Sequence, residues 1–283
     1  MFNLYPPIIF TITTCKYCNT NYQNNWGIGD MIKGLNSLFL LCSSMKIPFF
    51  VDFSTHPIQN FLQSVPHPYE EFVKEHLHEA IFLDHNTNLQ TFLNDKNFIT
   101  RVPTTPCLLF TNVDSHNYSE ESKEFVKSAF LNFSSTFLNA WSTKIPKDEY
   151  SILHFRLGDN FINSYNIDSN SNDYDGKFND EIAVFRVYTE PHDVLISDSK
   201  TFKAYVAKHS DCKMFDLDIC HLGYQVDEKS LQAIEHTLFD LFLVSRSKKI
   251  KSHSIYNWES GFVREISKIY NIEFINLKRA ERN

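Results

Sequence analysis

The chain has 283 residues, 42% of them hydrophobic, with 26 Phe, 13 Tyr and a formal net charge of −7. This is ample apolar material for one large or two ordinary domains and excludes extended disorder. The acidic balance argues against general affinity for nucleic acid or anionic membrane, so a phosphate-bearing ligand would be held by a few placed groups.

Of the six cysteines, only Cys15 and Cys18 make a C-x-x-C, and no second pair at zinc-ligand spacing follows. Reduced thiols in a cytoplasmic protein are the expectation, since a chain of this size needs no disulfide staples. The opening MFNLYPPIIFTITT has no Lys or Arg before its short apolar run, unlike a secretory leader. The apolar stretches LNSLFLLC and LFDLFLV fall well short of the roughly 18–20 residues a membrane span needs.

In chain order, residues 8–14 (IIFTITT) read as a strand and CKYCNTNYQNNWGIGD as a polar loop. From Asp30 the period changes, with Met31, Leu35, Leu38, Phe39, Cys42 and Met45 marking an amphipathic helix before the strand IPFFVDF. Strand, glycine loop, helix and strand make a βαβ unit. YEEFVKEHLHEA reads as a helix, AIFL and PCLLF as short strands. Phe125, Ala129, Phe133, Phe137 and Trp141 recur every four residues and predict one long helix over 120–141. The polar stretch 142–149 reads as a boundary, dividing the chain into domains 1–145 and 146–283.

The alternation then restarts with strand YSILHF, a polar loop over 160–182 and strand DVLISD. A helix at SKTFKAYVAKH, strand CKMFDL, a helix over EKSLQAIEHTLFDLFLVSRS, strand KKIKSH, a helix Ser260–Tyr270 and strand IEFINL complete the chain. The predicted class is α/β, two Rossmann-type domains with a cleft between them. Ligands of open α/β sheets sit at strand carboxyl ends, so the strand-end residues are the ones to weigh.

Gly27, Ile28, Gly29 and Asp30 lie between the first strand and its helix. Two glycines admit a close backbone approach, and the helix start offers N–H groups. A dinucleotide fingerprint needs a third glycine, although Asp52 stands near the spacing of its acidic residue. Asp30 reads either as an N-cap or as an acidic acceptor anchor or general base. The segment HFRLGD is more specific: His154 and Arg156 point to one side of a strand, Gly158 bends the chain, and Asp159 ties the turn or orients the arginine. Arginine suits a bidentate grip on phosphate. Ser197-Asp198-Ser199 reads either as an N-cap or as a contact to a ribose or base. In SHSIYNWESGF a hydroxyl at Ser260 beside helix N-terminal amides makes a phosphate site. Asp216-Leu217-Asp218 has the D-x-D form of metal–nucleotide sites, but such tripeptides are common and no metal is assigned to it. DSNSNDYDG (168–176) is no calcium loop, because Asp173 stands where that loop needs glycine and Asn179 where it needs glutamate.

In this order the stretches GIGDMIKGLNSLFLLCSSMKIPFFVDF, HFRLGD, VLISDSKTF and SIYNWESGFVREIS resemble the fucosyltransferase superfamily of α1,2-, α1,6- and protein O-fucosyltransferases, with its H-x-R-x-G-D segment. The sequence departs from many relatives in carrying Asp30 for asparagine and Val263 for a second serine. The resemblance implies a GT-B-like fold, an inverting mechanism, a nucleotide-sugar donor and no metal or other cofactor. It implies that Arg156 contacts the donor's β-phosphate, that His154 and Asp159 shape the site, and that Asp198 and Ser260 contact the nucleotide. The expected donor set is His154, Arg156, Gly158, Ser197, Asp198, Tyr256, Ser260, Gly261 and Phe262. Asp30 is the expected base and Asp159 the reserve. The expected partners are GDP-fucose and a glycan or other hydroxyl acceptor, with UDP-xylose or a non-catalytic binding module as alternatives.

Overall fold

The computed structural model of the chain describes residues 5–12, 27–63, 65–95, 105–157, 178–220, 222 and 231–277. They build α/β structure with two parallel sheets. The chain divides into two compact units, Met1–Ala140 with His221–Leu231, and Trp141–Cys220 with Gln232–Asn283.

In the first unit β1 (Ile8–Thr11), β2 (Phe49–Asp52), β3 (Ile81–Leu83) and β4 (Cys107–Thr111) pair in the order β2-β1-β4-β3. Every residue of the two inner strands is buried. A parallel strand covered on both faces reads as a continuous apolar run, as IIFT and CLLFT do. Helix α1 (Ile28–Met45) connects β1 to β2. It begins two residues before Asp30, because buried Ile28 extends the stripe through Met31, Ile32 and Leu35. Gly27 is its N-cap, and the Gly27 carbonyl accepts from the N–H of Asp30 (3.0 Å) and of Met31 (3.2 Å). Asp30 thus stands in the first turn, where a carboxylate favours the helix dipole, rather than at the cap.

Two further helices, α2 (Glu70–His76) and α3 (Leu89–Leu93), flank β3 in sequence. The single helix expected over 120–141 is two, α4 (Glu120–Phe130) and α5 (Ser135–Trp141). A strict four-residue repeat drifts by about 40° per turn on a 3.6-residue helix, so five such positions cannot share one face. The break resets the register. Asn132 and Ser134 pair with the backbone of Gln63 and Phe61, and Phe133 forms a bridge with Leu62. Aromatic rings fill the joint between α1 and α4, where Phe39 stacks on Phe125 at 4.2 Å and Phe49 lies 5.7 Å from Phe125.

The second unit has strands β5 (Ser151–Arg156), β6 (Asp193–Ser197), β7 (Lys213–Met214), β8 (Lys249–Ser254) and β9 (Glu273–Asn276), ordered β7-β6-β5-β8-β9. Its helices are α6 (Asn179–Tyr188), α7 (Lys200–His209), α8 (Leu231–Arg246) and α9 (Gly261–Tyr270). Helix α6 corrects the expected loop over 160–182. Asn179 opens it, and Ile182 and Phe185 enter the core beside Phe155 and Phe202. The strand expected over 212–217 is only two residues long.

Lysine 251 lies in the middle of β8, 3% exposed. Its ammonium donates to Asp193 Oδ2 (2.6 Å), Tyr188 O (2.8 Å) and Glu190 Oε2 (3.1 Å), so three donors meet three oxygens. The pairing offsets the cost of burying the charge.

Helix α1 rests directly on the end of β4. A Cβ at Gly34 would lie 1.6 Å from the Thr111 carbonyl oxygen. Gly34→Ala must push the helix off the sheet, and we expect a loss of about 2 kcal/mol or more in chemical denaturation. An unchanged midpoint would contradict this contact.

Candidate active site

The strand order of the second unit supplies the first clue to a site. From β5 the chain moves outward to β6 and β7, then returns through α8 to place β8 on the other side of β5. That reversal makes the carboxyl ends of β5 and β8 a topological switch point, where open α/β sheets bind ligands.

Arg156 ends β5 there. Its Nη1 donates to Asp198 Oδ2 at 2.8 Å, and Asp198 Oδ1 accepts the N–H of Leu157 at 2.7 Å. One carboxylate thus fastens both the guanidinium and the backbone beside it. The Asp198 side chain is 5% exposed and the Arg156 side chain 22%. The ion pair is therefore partly screened from water, while the arginine still reaches the surface.

His154 shares Arg156's side of β5, as alternation requires, but lies deeper. Its Nδ1 is 3.0 Å from the Ser252 hydroxyl on β8, and its ring packs against Phe262. Burial first, then the charges of Arg156 and His253, push His154 down to about 3. It is a neutral group at any ordinary pH and serves neither as cation nor as proton store. Phe155 faces the opposite side, into the core with Phe202.

The neighbouring strand ends are polar and engaged. Ser197 Oγ accepts the N–H of Ser199, and Ser199 Oγ accepts the N–H of Phe202 as the N-cap of α7. On β8, Ile255 donates its N–H to the carbonyl of Arg156 at 3.1 Å, and the Ser254 hydroxyl accepts the N–H of Tyr256. Ser260 then opens α9 without a side-chain cap bond. The first turn of α9, Gly261, Phe262 and Val263, therefore presents backbone N–H groups and the positive end of the helix dipole. The structure thus brings His154, Arg156, Ser197, Asp198, Tyr256, Ser260, Gly261 and Phe262 to the carboxyl side of one sheet. Gly158 and Asp159 lie outside the described residues.

In the first unit, Asp30 is half-exposed, with Lys33 Nζ 3.5 Å away. Asp52 is committed to its own surroundings: Oδ1 accepts from the Ser54 N–H and hydroxyl, and Oδ2 meets His67 Nε2 at 2.7 Å. His67 Nδ1 accepts from the Tyr69 N–H, so Nε2 carries the proton given to Asp52.

Sequence reasoning missed the supports. Ser252 carried no signal beyond its place in a strand. Lys203 and Asp240 were equally overlooked. Lys203 Nζ donates to the Leu217 carbonyl at 3.0 Å, and burial pushes its pKa below the ordinary lysine range. Burial pushes Asp240 up to about 7, against the pull of Lys203. An acid inside the run LFDLFLV was the available sign. The D-x-D tripeptide is also engaged, since Asp218 pairs with Lys200 and Leu217 anchors Lys203. No group of three or more metal-ligating side chains occurs among the described residues. None of their helices is long and apolar enough to cross a membrane.

No family model and no curated protein matches the sequence. Solved structures do match the fold. The fucosyltransferase NodZ from Bradyrhizobium is similar over 92% of this chain and 91% of its own, with 10% identity and a TM-score of 0.51. An Arabidopsis thaliana FUT1 variant in complex with GDP matches over 95% and 70%, at 10% identity and a TM-score of 0.47. POFUT1 in complex with GDP matches over 98% and 100%, at 9% identity and a TM-score of 0.44. The fold of this chain is thus similar to that of the NodZ fucosyltransferase.

The buried acid gives a pH test. A carboxyl whose folded pKa lies above its unfolded one binds its proton more tightly when folded. Its stabilising contribution is full below about pH 4 and is lost as pH rises through about 7. The stability of wild type relative to Asp240→Asn should fall across that window, by at most about 1.4 kcal/mol per pH unit. Urea denaturation at several pH values reads this, and a constant difference would contradict the raised pKa.

Proposed function

We propose that the chain is an inverting glycosyltransferase that moves a sugar, fucose from GDP-fucose before any other, onto a hydroxyl of a glycan or similar acceptor. The observation that carries this reading is the Asp198-anchored Arg156 beside the uncapped start of α9 at the switch point. The motif order in the sequence and the fold shared with a fucosyltransferase support it. GDP-fucose is the donor we assign, on the order of the motifs in the sequence.

In the proposed reaction the acceptor oxygen bonds to C1 of the sugar as the C1–O bond to the diphosphate breaks. The diphosphate leaves with the bonding electrons, and negative charge grows on its oxygens. Arg156 and the N–H groups of α9 would stabilise that charge in place, the term that dominates many enzymes. A guanidinium carries its donors in a fixed fork, and Asp198 holds this one before a ligand arrives. The charge is supplied by the chain itself, so the reading requires no metal. The acceptor proton passes to a carboxylate. Asp30 is the proposed base and Asp159 the second candidate. The Asp216/Asp218 pair is left out because Asp218 already has Lys200 as its partner.

A cytoplasmic setting is part of the proposal. Cys42, Cys107, Cys212 and Cys220 form no disulfide, as thiols do in a reducing compartment.

Arg156→Ala should lower kcat about 100-fold or more while circular dichroism and thermal unfolding keep the folded signature. Near-normal transfer by that variant would sink the assignment. Asp30→Asn should lower kcat by about 100-fold or more with GDP affinity unchanged, and a full-speed variant would move the base elsewhere. Calorimetric titration should give binding of GDP and not UDP. Tighter binding of UDP reassigns the donor, and GDP binding without donor turnover makes the chain a non-catalytic module.

A further inference from the structure

The loop from Ile255 to Glu259, which includes Tyr256 of the expected donor set, also holds an exposed aromatic side chain, Trp258. The exposed large hydrophobic residues among the described ones are Val65, Val187, Ile255 and Trp258. Two of the four fall in this one loop, Trp258 at 67% exposure and Ile255 at 41%. Trp258 lies against Tyr256 with ring centroids 4.8 Å apart and planes 11° from parallel. Tyr256 therefore backs one face of Trp258 and leaves the rest of the indole open to solvent, with the exposed amide residue Asn257 between the two in sequence.

This surface is not on a slack loop. Its root is bonded to the candidate donor grip itself, through the Ile255 N–H to the carbonyl of Arg156. The Ser254 hydroxyl holds the N–H of Tyr256 at 3.2 Å. At the far end Glu259 binds Arg264 Nε at 3.1 Å and Asn276 Nδ2 at 3.0 Å, and Arg264 lies over the ring of Phe274. A tryptophan exposed on a braced loop costs hydration and gains no packing in the core, which marks an interaction surface. Its rigidity lowers the entropy that a bound partner would otherwise cost.

We propose that the open face of Trp258, backed by Tyr256, forms a stacking platform for a pyranose ring of the acceptor glycan. This rests on the transferase reading. A sugar ring presents a face of C–H groups that lies flat on an aromatic ring, and edge hydroxyls that need amides and carboxylates. Asn257, exposed next to Trp258 in sequence, supplies such an amide. The donor's diphosphate belongs at Arg156 and the start of α9, where charges and N–H groups converge. The acceptor arrives from solvent, and an open platform joined to the rim of that site meets the need. A peptide or lipid surface would be served by a broader apolar patch than one open indole face beside an amide.

The test uses the full chain on an array of immobilised oligosaccharides ending in β-galactose, N-acetylglucosamine or mannose, with and without GDP. The set comprises wild type, Trp258→Ala, Trp258→Phe and Arg156→Ala, and GDP affinity is measured by calorimetry. Wild type should capture a subset of the glycans. Trp258→Ala should bind those glycans at least tenfold more weakly, Trp258→Phe should retain most of the binding, and both should keep GDP affinity within twofold of wild type. Arg156→Ala should lose GDP and keep glycan capture in its absence. No capture by wild type, capture by Trp258→Ala equal to wild type, or a loss of GDP affinity in Trp258→Ala would each overturn the proposal. The last would assign the platform to the nucleotide. Glycan capture by a wild-type chain that binds no GDP would instead strike the donor reading and leave the platform standing.

Discussion

A single carboxylate holds the second unit's carboxyl edge together. Asp198 leaves β6, reaches the guanidinium of Arg156 at the end of β5 with one oxygen, and the N–H of Leu157 with the other. Because it grips both a side chain and the backbone that follows it, the arginine's direction is coupled to the path of the chain out of β5. A half-exposed arginine without such a partner would sample many rotamers, and its ordering on ligand binding would have to be supplied by the ligand. Here that entropy is spent on folding, which is the meaning of a preorganised site.

The same logic explains why the second basic-looking residue of the segment carries no charge. His154 sits one pleat deeper, buried, with Arg156 close enough to oppose a second cation. The end of β5 thus carries one guanidinium, paired with Asp198, while the buried imidazole beneath it stays neutral. Lys251 in β8 follows the opposite rule. It is enclosed by two carboxylates and a carbonyl, with no donor left over, and its work is structural. Arginine at a rim and lysine in a closed cage are suited to those places by fork geometry and by compact charge, respectively.

How much of this could be read from the sequence depended on range. Alternation along YSILHFR puts His154 and Arg156 on one face without any knowledge of the sheet, and the structure keeps that face. The apolar runs IIFT and CLLFT likewise declare inner parallel strands. What stayed hidden was set by partners far away in the chain. Asp198 is 42 residues from Arg156, and only the order β6-β5-β8 brings it there. The division of 120–141 into α4 and α5 was written in the drift of its four-residue spacing, but the place of the break was fixed by Phe61, Leu62 and Gln63. The first turn of α1 was obscured by Gly27 and Gly29, which suggest a loop, while burial of Ile28 extends the helix across them. Helix α6 follows a polar stretch long enough to absorb its first turn when only composition is weighed.

An identity near 10% to a chain with the same fold is consistent with this division of labour. The core of each unit is defined by apolar volume and period, and phenylalanines such as Phe155, Phe202 and Phe185 can be replaced by other residues that fill the same space. On the proposed function the carboxyl edge is less permissive, because a phosphate grip needs a forked cation, an anion to aim it, and a helix start left without a side-chain cap. Those requirements fall on a handful of positions separated by whole strands and helices. A sequence comparison that sums over all positions dilutes them, whereas the order in which they occur preserves them. In this chain those positions are Arg156 at the end of β5, Asp198 just after β6 and Ser260 at the start of the helix that follows β8.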